Sequence, residues 1–186
     1  MKRLAERPAP THLRHWGDWL IYGLLRLFLL LPYPVLMWFG TGMGRVFRWL
    51  SASRRHVVET NLRMCFPEQG ARARADMAKA HFEAMGRGLI EASLAWWGAD
   101  RKLAARGEVV GLEHLDRALE QGGVILLTGH FTTLELAARY VAMQRPFHAM
   151  YRPLDNLFWD VVTTRAREAQ SCRPSVPRRD LRALIK

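Results

Sequence analysis

The sequence predicts an α/β protein in which an N-terminal membrane-associated helix and a helical region precede a partial, largely parallel sheet with packed helices. Three observations predict this class. An apolar segment fills residues 16–31, helical periodicity dominates residues 51–106, and short apolar runs alternate with helical segments from residue 107 onward. Strands that alternate with helices of this length are typical of a parallel sheet. We therefore predict three parts, at residues 1–50, 51–106 and 107–186.

The composition indicates a folded chain with a basic surface. The chain has 186 residues, of which 49% are hydrophobic, so general disorder is excluded. Its two cysteines, Cys65 and Cys172, neither build a disulfide framework nor match a zinc-ligand spacing. The formal net charge is +11, and the basic excess lies in residues 1–58 and 145–186. Such a charge favours anionic partners, which include nucleic acid, acidic lipid headgroups and an acidic carrier protein.

The apolar segment at residues 16–31 has two interpretations. A bilayer-spanning helix needs about 20 mostly apolar residues. This segment is shorter and contains Asp18 and Arg26. Its aromatic residues suit a membrane interface, and the basic residues that follow suit an anionic leaflet: Arg45, Arg48, Arg54 and Arg55. We predict a membrane anchor, either spanning or lying in the interface; the alternative is a core hairpin of a soluble domain.

Two helices are predicted in the middle of the chain. Ser51 or Ser53 is expected to cap a helix that runs towards Met64. Phe66 and the proline after it end that helix. Residues 71–97 predict the longest helix, because apolar side chains recur along it at helical spacing. The apolar stripe indicates core packing rather than a binding surface.

Short strands and helices alternate after residue 107. The apolar run at residues 124–128 is bounded by glycines and predicts a buried strand. Residues 112–121 predict a helix that two glycines end. The other predicted elements are strands at residues 109–110 and 147–151, a helix at residues 132–144, and a helix that Asp155 caps and that runs to about residue 170.

The last residues predict a chain that continues. Residues 179–186 resemble the opening of a helix, and no strand follows them. Three short strands would make a small sheet with an exposed edge, which is unfavourable. We therefore expect this sequence to be the N-terminal part of a longer protein.

The segment GHFTTLE at residues 129–135 carries the candidate chemistry, because it directly follows a predicted strand. Ligands bind at the carboxyl ends of strands in an open α/β sheet, so His130 is expected at the mouth of a cleft. Glu135 lies in the first turn of the next helix, where it can orient the imidazole as a general base for a substrate hydroxyl. The alternative is a capping box, with Thr132 as the cap and Glu135 turned back to its N–H.

A second segment, YRPLDN at residues 151–156, follows the next predicted strand. Neighbouring parallel strands end on the same side of a sheet, so Arg152 is expected to face the same cleft as His130. An arginine there binds phosphate or carboxylate through two hydrogen bonds. Arg165 and Arg167, on the following helix, are candidates to extend this basic patch. The alternative is that these arginines only solvate a basic surface.

Four motifs, in their order along the chain, resemble the lipid A biosynthesis acyltransferases, the lauroyl and myristoyl transferases that act late in the lipid A pathway. The motifs are NLRMCFPE at residues 61–68, HFEAMGRGLIE at residues 81–91, GHFTTLE at residues 129–135, and YRP with the DN pair at residues 151–156. Each motif alone is modest, but four in the right order are specific. The likeness covers most of the chain.

The resemblance implies a glycerolipid acyltransferase-like fold and a bacterial inner-membrane enzyme whose active site lies on the cytoplasmic side. Such an enzyme, in lipopolysaccharide biosynthesis, moves a fatty acyl chain from acyl carrier protein to a hydroxyl of the anionic lipid A precursor. No metal or other cofactor is implied. The family's H-x4-D/E motif falls on His130 and Glu135, which are the implied catalytic residues. The implied substrate-binding residues are Arg167, Arg152 and Asn156.

Departures from the family and rival functions are also part of this prediction. Leu157 stands where many relatives have proline, and the family continues past residue 186 into further strands and an acidic motif. One alternative is an acyltransferase for another glycolipid or an aminolipid. Another is a non-catalytic basic membrane-surface or nucleic-acid-binding protein. We expect no nucleic-acid partner, because no recognised motif is present and aromatic residues are not interleaved with the basic clusters after residue 145.

Overall fold

The computed structural model describes residues 13–170 and 173–178. Within these residues a short 3₁₀ turn, Leu13–His15, precedes eight α-helices and two β-strands. The helices are α1 (Trp16–Phe28), α2 (Tyr33–Leu50), α3 (Ala52–Cys65), α4 (Ala71–Trp97), α5 (Asp100–Ala104), α6 (Leu112–Gln121), α7 (Leu134–Gln144) and α8 (Leu157–Ala169). The strands are β1 (His148–Tyr151) and β2 (Arg173–Pro177). The helical region and a small parallel sheet agree with the predicted class.

Local signals set several helix ends at the residues that the sequence predicts. The helices α4 and α6 have the predicted bounds. Gly122 ends α6 with φ 151°, a backbone conformation that L side chains rarely adopt. The helix α3 begins after Ser51, but that serine makes no side-chain cap hydrogen bond. The predicted serine cap is therefore not formed, whereas the predicted end at Phe66 is confirmed.

Two of the predicted strands are wrong. Residues 109–110 and 124–128 form no strand in the part of the chain that the structure describes. Ile125 and Leu127 are 93% and 96% exposed, so the run predicted as a buried strand lies open to solvent. An extended segment is stable in a sheet only when a neighbour pairs with its backbone. No described strand pairs with this run.

The observed sheet combines a predicted strand with one that was not predicted. The strand β1 confirms the prediction at residues 147–151, and it pairs in parallel with β2. In the register, His148 lies opposite Arg173 and Tyr151 lies opposite Pro177. Proline lacks the N–H that a strand ladder needs, so the two prolines of β2 argue against a strand on sequence grounds. Pairing with β1 overrides that local preference.

The chain divides into two compact units. The described residues of Met1–Arg26 and Leu94–Lys186 form the first unit, and Leu27–Ser93 forms the second. The helix α8 is the most buried element of the first unit, with Phe158 0% and Val161 1% exposed. The predicted division into three parts, with boundaries after residues 50 and 106, was based on composition and periodicity along the sequence. It stays a prediction.

The helix α1 packs against α8 within the first unit. The ring centroid of Trp19 lies 4.9 Å from that of Phe158, and the ring centroid of Tyr22 lies 6.4 Å from it, both edge-on. Edge-to-face contacts of this kind add stability beyond the buried area. None of the helices in the described residues combines the length and the apolar character needed to cross a bilayer. The spanning form of the predicted membrane anchor is thus not found in this part of the chain.

In the second unit α2 crosses α4 where both helices carry glycine. A Cβ atom built on Gly44 would lie 2.0 Å from the carbonyl oxygen of Phe82. One built on Gly86 would lie 2.1 Å from the carbonyl oxygen of Gly40. No real Cβ atom approaches a backbone oxygen so closely, so the two helix backbones touch here only because the side chains are absent.

Candidate active site around Glu135

Glu135, in the first turn of α7, is held by two side chains. The Nε atom of Arg167 donates to Oε2 at 3.1 Å, and its Nη2 atom donates to Oε1 at 2.5 Å. The indole Nε1 of Trp96 donates to Oε2 at 2.8 Å. The side chains of Arg167 and Glu135 are 22% and 30% exposed. A two-pronged arginine contact of this kind fixes both the position and the plane of the carboxylate.

Three helices that are distant in sequence bring these groups together. Trp96 lies near the end of α4, and Arg167 lies near the end of α8. The guanidinium carbon of Arg167 lies 5.5 Å from the centroid of the Trp96 ring, which is a cation–π contact. The side-chain amide of Gln170 donates to the backbone oxygen of Trp96 at 3.0 Å. The ends of α4 and α8 are thereby linked beside Glu135.

The alternative capping box is not formed. The helix α7 begins at Leu134, so its cap residue is Thr133 rather than Thr132, and Thr133 makes no side-chain cap hydrogen bond. The Glu135 carboxylate is bound by side chains instead of turning back to a backbone N–H. The physical reason is that a guanidinium supplies two charge-assisted donors, which are stronger than one neutral amide.

His130 is not part of this hydrogen-bonded cluster among the described residues. It belongs to the largely exposed segment at residues 123–131, which has no regular secondary structure. No hydrogen bond or ion pair joins it to Glu135 among residues 13–170 and 173–178. Residues 124–128, which precede His130, are not paired in a sheet with any described strand. No strand of the described residues therefore positions the imidazole beside the carboxylate of Glu135. The pairing of His130 with Glu135 stays a prediction.

The two other predicted substrate-binding residues lie between β1 and α8. Arg152 directly follows β1 and is exposed. Asn156 is the cap of α8, and its Oδ1 atom accepts from the backbone N–H groups of Phe158 at 2.9 Å and Trp159 at 3.4 Å. This contact confirms a helix start here but places the cap one residue after the predicted Asp155. The side-chain oxygen of Asn156 is therefore already engaged in the hydrogen bonds that cap α8.

Burial changes the acidity of Tyr151, which directly precedes Arg152. Burial raises the pKa of Tyr151, at the end of β1, above its usual value of 10.0. The phenol therefore stays protonated at neutral pH and can donate a hydrogen bond.

No group of three or more His, Cys, Asp or Glu residues in the described part of the chain is placed to hold a metal ion.

Asp18, which the sequence did not single out as a site residue, joins α1 to the start of α8. It accepts from Nδ1 of His15 at 2.9 Å and from the indole Nε1 of Trp159 at 2.9 Å. The side-chain amide of Asn156 lies 3.3 Å from its Oδ1 atom. In sequence, Asp18 appeared only as a charge interrupting an apolar segment. Its three donors explain why an acidic residue is stable at that position.

These contacts predict an acid-sensitive stability. The hydrogen bond from His15, followed by those from Asn156 and Trp159, holds the pKa of Asp18 below its usual value of 3.8. A folded pKa below the unfolded one contributes stability above about 3.8 that is lost as the pH falls through the folded pKa. We expect the melting temperature of the wild-type chain to fall more steeply below roughly pH 4 than that of Asp18→Asn. Thermal unfolding of both chains across this range checks it, and equal slopes would contradict it.

Comparisons with known proteins agree along the chain. The family model described as "Bacterial lipid A biosynthesis acyltransferase" matches residues 5–186. The "Lipid A biosynthesis lauroyltransferase" of Escherichia coli K12 is 40% identical over 179 residues, which cover 96% of this chain and 58% of that protein. The "Lipid A biosynthesis palmitoleoyltransferase" of the same strain is 35% identical over 175 residues, covering 94% and 57%.

A third relative comes from another genus. A "Lipid A biosynthesis acyltransferase" of Haemophilus influenzae is 33% identical over 175 residues, covering 93% of this chain and 56% of that protein. The chain thus spans between 56% and 58% of the length of these three relatives. No solved structure matches the chain.

Proposed function

This chain belongs to the bacterial lipid A biosynthesis acyltransferase family, and we propose from that premise that the whole protein is an O-acyltransferase. It moves a fatty acyl chain from acyl carrier protein to a hydroxyl of a lipid A precursor. The reaction takes place at the bacterial inner membrane, with the active site on the cytoplasmic side. The net charge of +11 supports this proposal, because an anionic acceptor and an acidic carrier are both attracted to a basic surface.

The observation that carries the proposal is the fixed carboxylate of Glu135. This residue ends the H-x4-E motif, and its carboxylate is bound by Arg167 and Trp96 at distances of 2.5–3.1 Å. Three donors reach the carboxylate in the described residues, whereas an ionised carboxylate has about four acceptor sites. Oε2 takes two of these donors and Oε1 takes one. One acceptor site on Oε1 is left for an imidazole N–H.

In the proposed reaction His130 occupies that remaining site. With one ring nitrogen donating to Glu135, the other nitrogen removes the proton from the acceptor hydroxyl. The hydroxyl oxygen then forms a bond to the thioester carbonyl carbon, and the carbon–sulfur bond breaks. The proton passes from the imidazolium to the departing thiolate. Glu135 carries a negative charge beside the imidazolium and so stabilises it.

The proposal requires residues 123–131 to leave their exposed position. This segment presents Ile125, Leu127 and Phe131 to solvent, and burial of such side chains favours a packed arrangement. We propose that residues 124–131 pack against the rest of the protein in its active form and so bring His130 to Glu135. Arg152 then binds an anionic group of the acceptor or the carrier. Asn156 contributes to binding through the start of α8, which it caps.

A transfer assay tests the proposal. The whole protein is incubated with isotope-labelled acyl-acyl carrier protein and a lipid A precursor. We expect the precursor to gain the mass of one acyl chain in an ester linkage. The two other acceptor classes, another glycolipid and an aminolipid, are assayed in parallel as controls. Label on one of these alone would contradict the proposed acceptor, and free fatty acid with every acceptor would contradict transfer itself.

The arginine contact makes a separate prediction about Arg167. Lysine keeps the positive charge but offers a single point donor in place of the two-pronged contact. Because a hydrogen bond to a charged group is worth about 1.5–3 kcal/mol, we expect Arg167→Lys to lower kcat by about 10–100-fold. We expect Arg167→Gln to lower it further, since the charge is lost as well. Kinetics of the two variants check this order, and equal rates for Arg167→Lys and wild type would contradict it.

A further inference from the structure

The second unit contains a basic pocket that takes no part in the proposed reaction. An open surface pocket of about 380 Å³ lies where α2 ends and α3 begins. Its lining residues are Arg45, Arg48, Trp49, Arg55 and Glu59. Three guanidinium groups thus face one carboxylate, so the pocket has an excess of positive charge. We call it the α2–α3 pocket.

The arginines of the α2–α3 pocket differ in the hydrogen bonds that they already make within the protein. The Nε atom of Arg45 donates a hydrogen bond to Glu83 at 2.7 Å. This hydrogen bond is the main reason why the pKa of Glu83 lies below its usual value. Arg55 donates to the backbone oxygen of Arg48 at 3.0 Å. The Nε atom of Arg48 itself is buried and has no hydrogen-bond partner among the described residues. A buried, unpaired guanidinium N–H is costly unless a ligand accepts from it.

The surface beside the pocket is apolar. Trp49 is 77% exposed, Leu50 is 66% exposed and Val46 is 55% exposed, all on the last turns of α2. Trp38, further back on α2, is 76% exposed. A soluble anion would gain nothing from these side chains. An anion that carries hydrocarbon chains would cover them, and tryptophan is typical of the level of lipid headgroups.

We propose that the α2–α3 pocket binds the phosphate of an anionic phospholipid headgroup at a bilayer surface, while Trp49 and Leu50 lie at the boundary with the acyl chains. Arg48 donates to the phosphate through its unpaired Nε, and Arg55 adds a second positive charge. Arginine matches the geometry of phosphate oxygens through two parallel donors. The inference rests on the proposed membrane location but not on the proposed chemistry.

A vesicle-binding assay with the full chain tests this site. The probes are vesicles of phosphatidylglycerol mixed with phosphatidylcholine, and vesicles of phosphatidylcholine alone. An arginine near an anionic surface contributes about fivefold to affinity, so Arg48→Gln is expected to weaken binding to the anionic vesicles by about fivefold. Arg72→Gln removes the same charge from an exposed position at the start of α4 and is the matched control. We expect its affinity to stay within about twofold of wild type.

The apolar part of the site has its own test. Trp49→Ser is expected to weaken binding to the vesicles by about tenfold. The variant lacks the largely exposed indole, so it loses the free energy gained when that ring moves from water into the bilayer surface. Far-UV circular dichroism confirms that each variant is folded. Equal losses for Arg48→Gln and Arg72→Gln would overturn the site, as would unchanged binding of both Arg48→Gln and Trp49→Ser. Arg48-dependent binding to an acidic soluble protein, with no binding to vesicles, would overturn the lipid assignment.

The binding assay and the transfer assay fail independently. If transfer fails while Arg48→Gln still weakens vesicle binding, the proposed chemistry is wrong and the headgroup site stands. If transfer succeeds and vesicle binding does not depend on Arg48, the headgroup site is wrong and the chemistry stands.

Discussion

Replacement of His130 by alanine is expected to lower kcat for acyl transfer by about 10²–10⁴-fold, which is the usual contribution of a positioned general base. The acceptor hydroxyl would then have to lose its proton to water as it attacks the thioester. Substrate binding does not need the imidazole in the proposed reaction, so KM is expected to change little. The measurement is steady-state transfer of labelled acyl chains by the whole protein.

A matched histidine and a double variant sharpen this prediction. His114 is an exposed histidine on α6 whose ring contacts the side chain of Arg117, and His114→Ala is expected to keep the wild-type kcat. If His130 and Glu135 act as a unit, the double variant His130→Ala/Glu135→Gln is expected to lose no more than His130→Ala alone. Multiplied losses would show that the two residues act separately. Normal turnover in His130→Ala would end the proposal of a histidine base.

Gly86→Ala is expected to destabilise the protein by about 3 kcal/mol, which is the upper part of the usual range for overpacking. The added Cβ would lie 2.1 Å from the oxygen of Gly40 and 2.6 Å from the nitrogen of Gly44. Both contacts are to backbone atoms, so no side chain can rotate away and α2 must move as a whole. Urea unfolding followed by circular dichroism measures the change.

A glycine on the same helix provides the control. Gly42 lies in α2 between Gly40 and Gly44, and a Cβ there would meet no atom within 4 Å. Alanine has a better helix propensity than glycine, so Gly42→Ala is expected to stabilise the protein by up to about 1 kcal/mol. The same substitution therefore acts in opposite directions at neighbouring positions. A loss of stability at Gly42 equal to that at Gly86 would contradict the close helix crossing.

The features that the sequence predicted well are those that depend on nearby residues. The bounds of α4 and α6 follow from apolar spacing and from the glycines after Gln121. The strand β1 and the start of α8 were found within one or two residues. Helix hydrogen bonds join residues four apart, so their signals lie within a short window of sequence.

The features that the sequence missed all need a distant partner. The apolar run at residues 124–128 has the composition of a buried strand but no neighbour in the described residues, whereas β2, with two prolines, is a strand because β1 pairs with it. The same holds for the site. The sequence marked Glu135 and Arg167 separately, but not their direct contact, and Trp96 appeared only as part of a core stripe.

The sequence by itself determined where most helices begin and end, the basic character of the chain and, through four ordered motifs, its family. Only the tertiary structure decided which side chain holds Glu135, which of the predicted strands pair, and where two helix backbones touch at Gly44 and Gly86. The reason is physical. Helix propensity and caps act over one or two turns, whereas ion pairs, strand ladders and backbone contacts form between residues that the fold alone brings together.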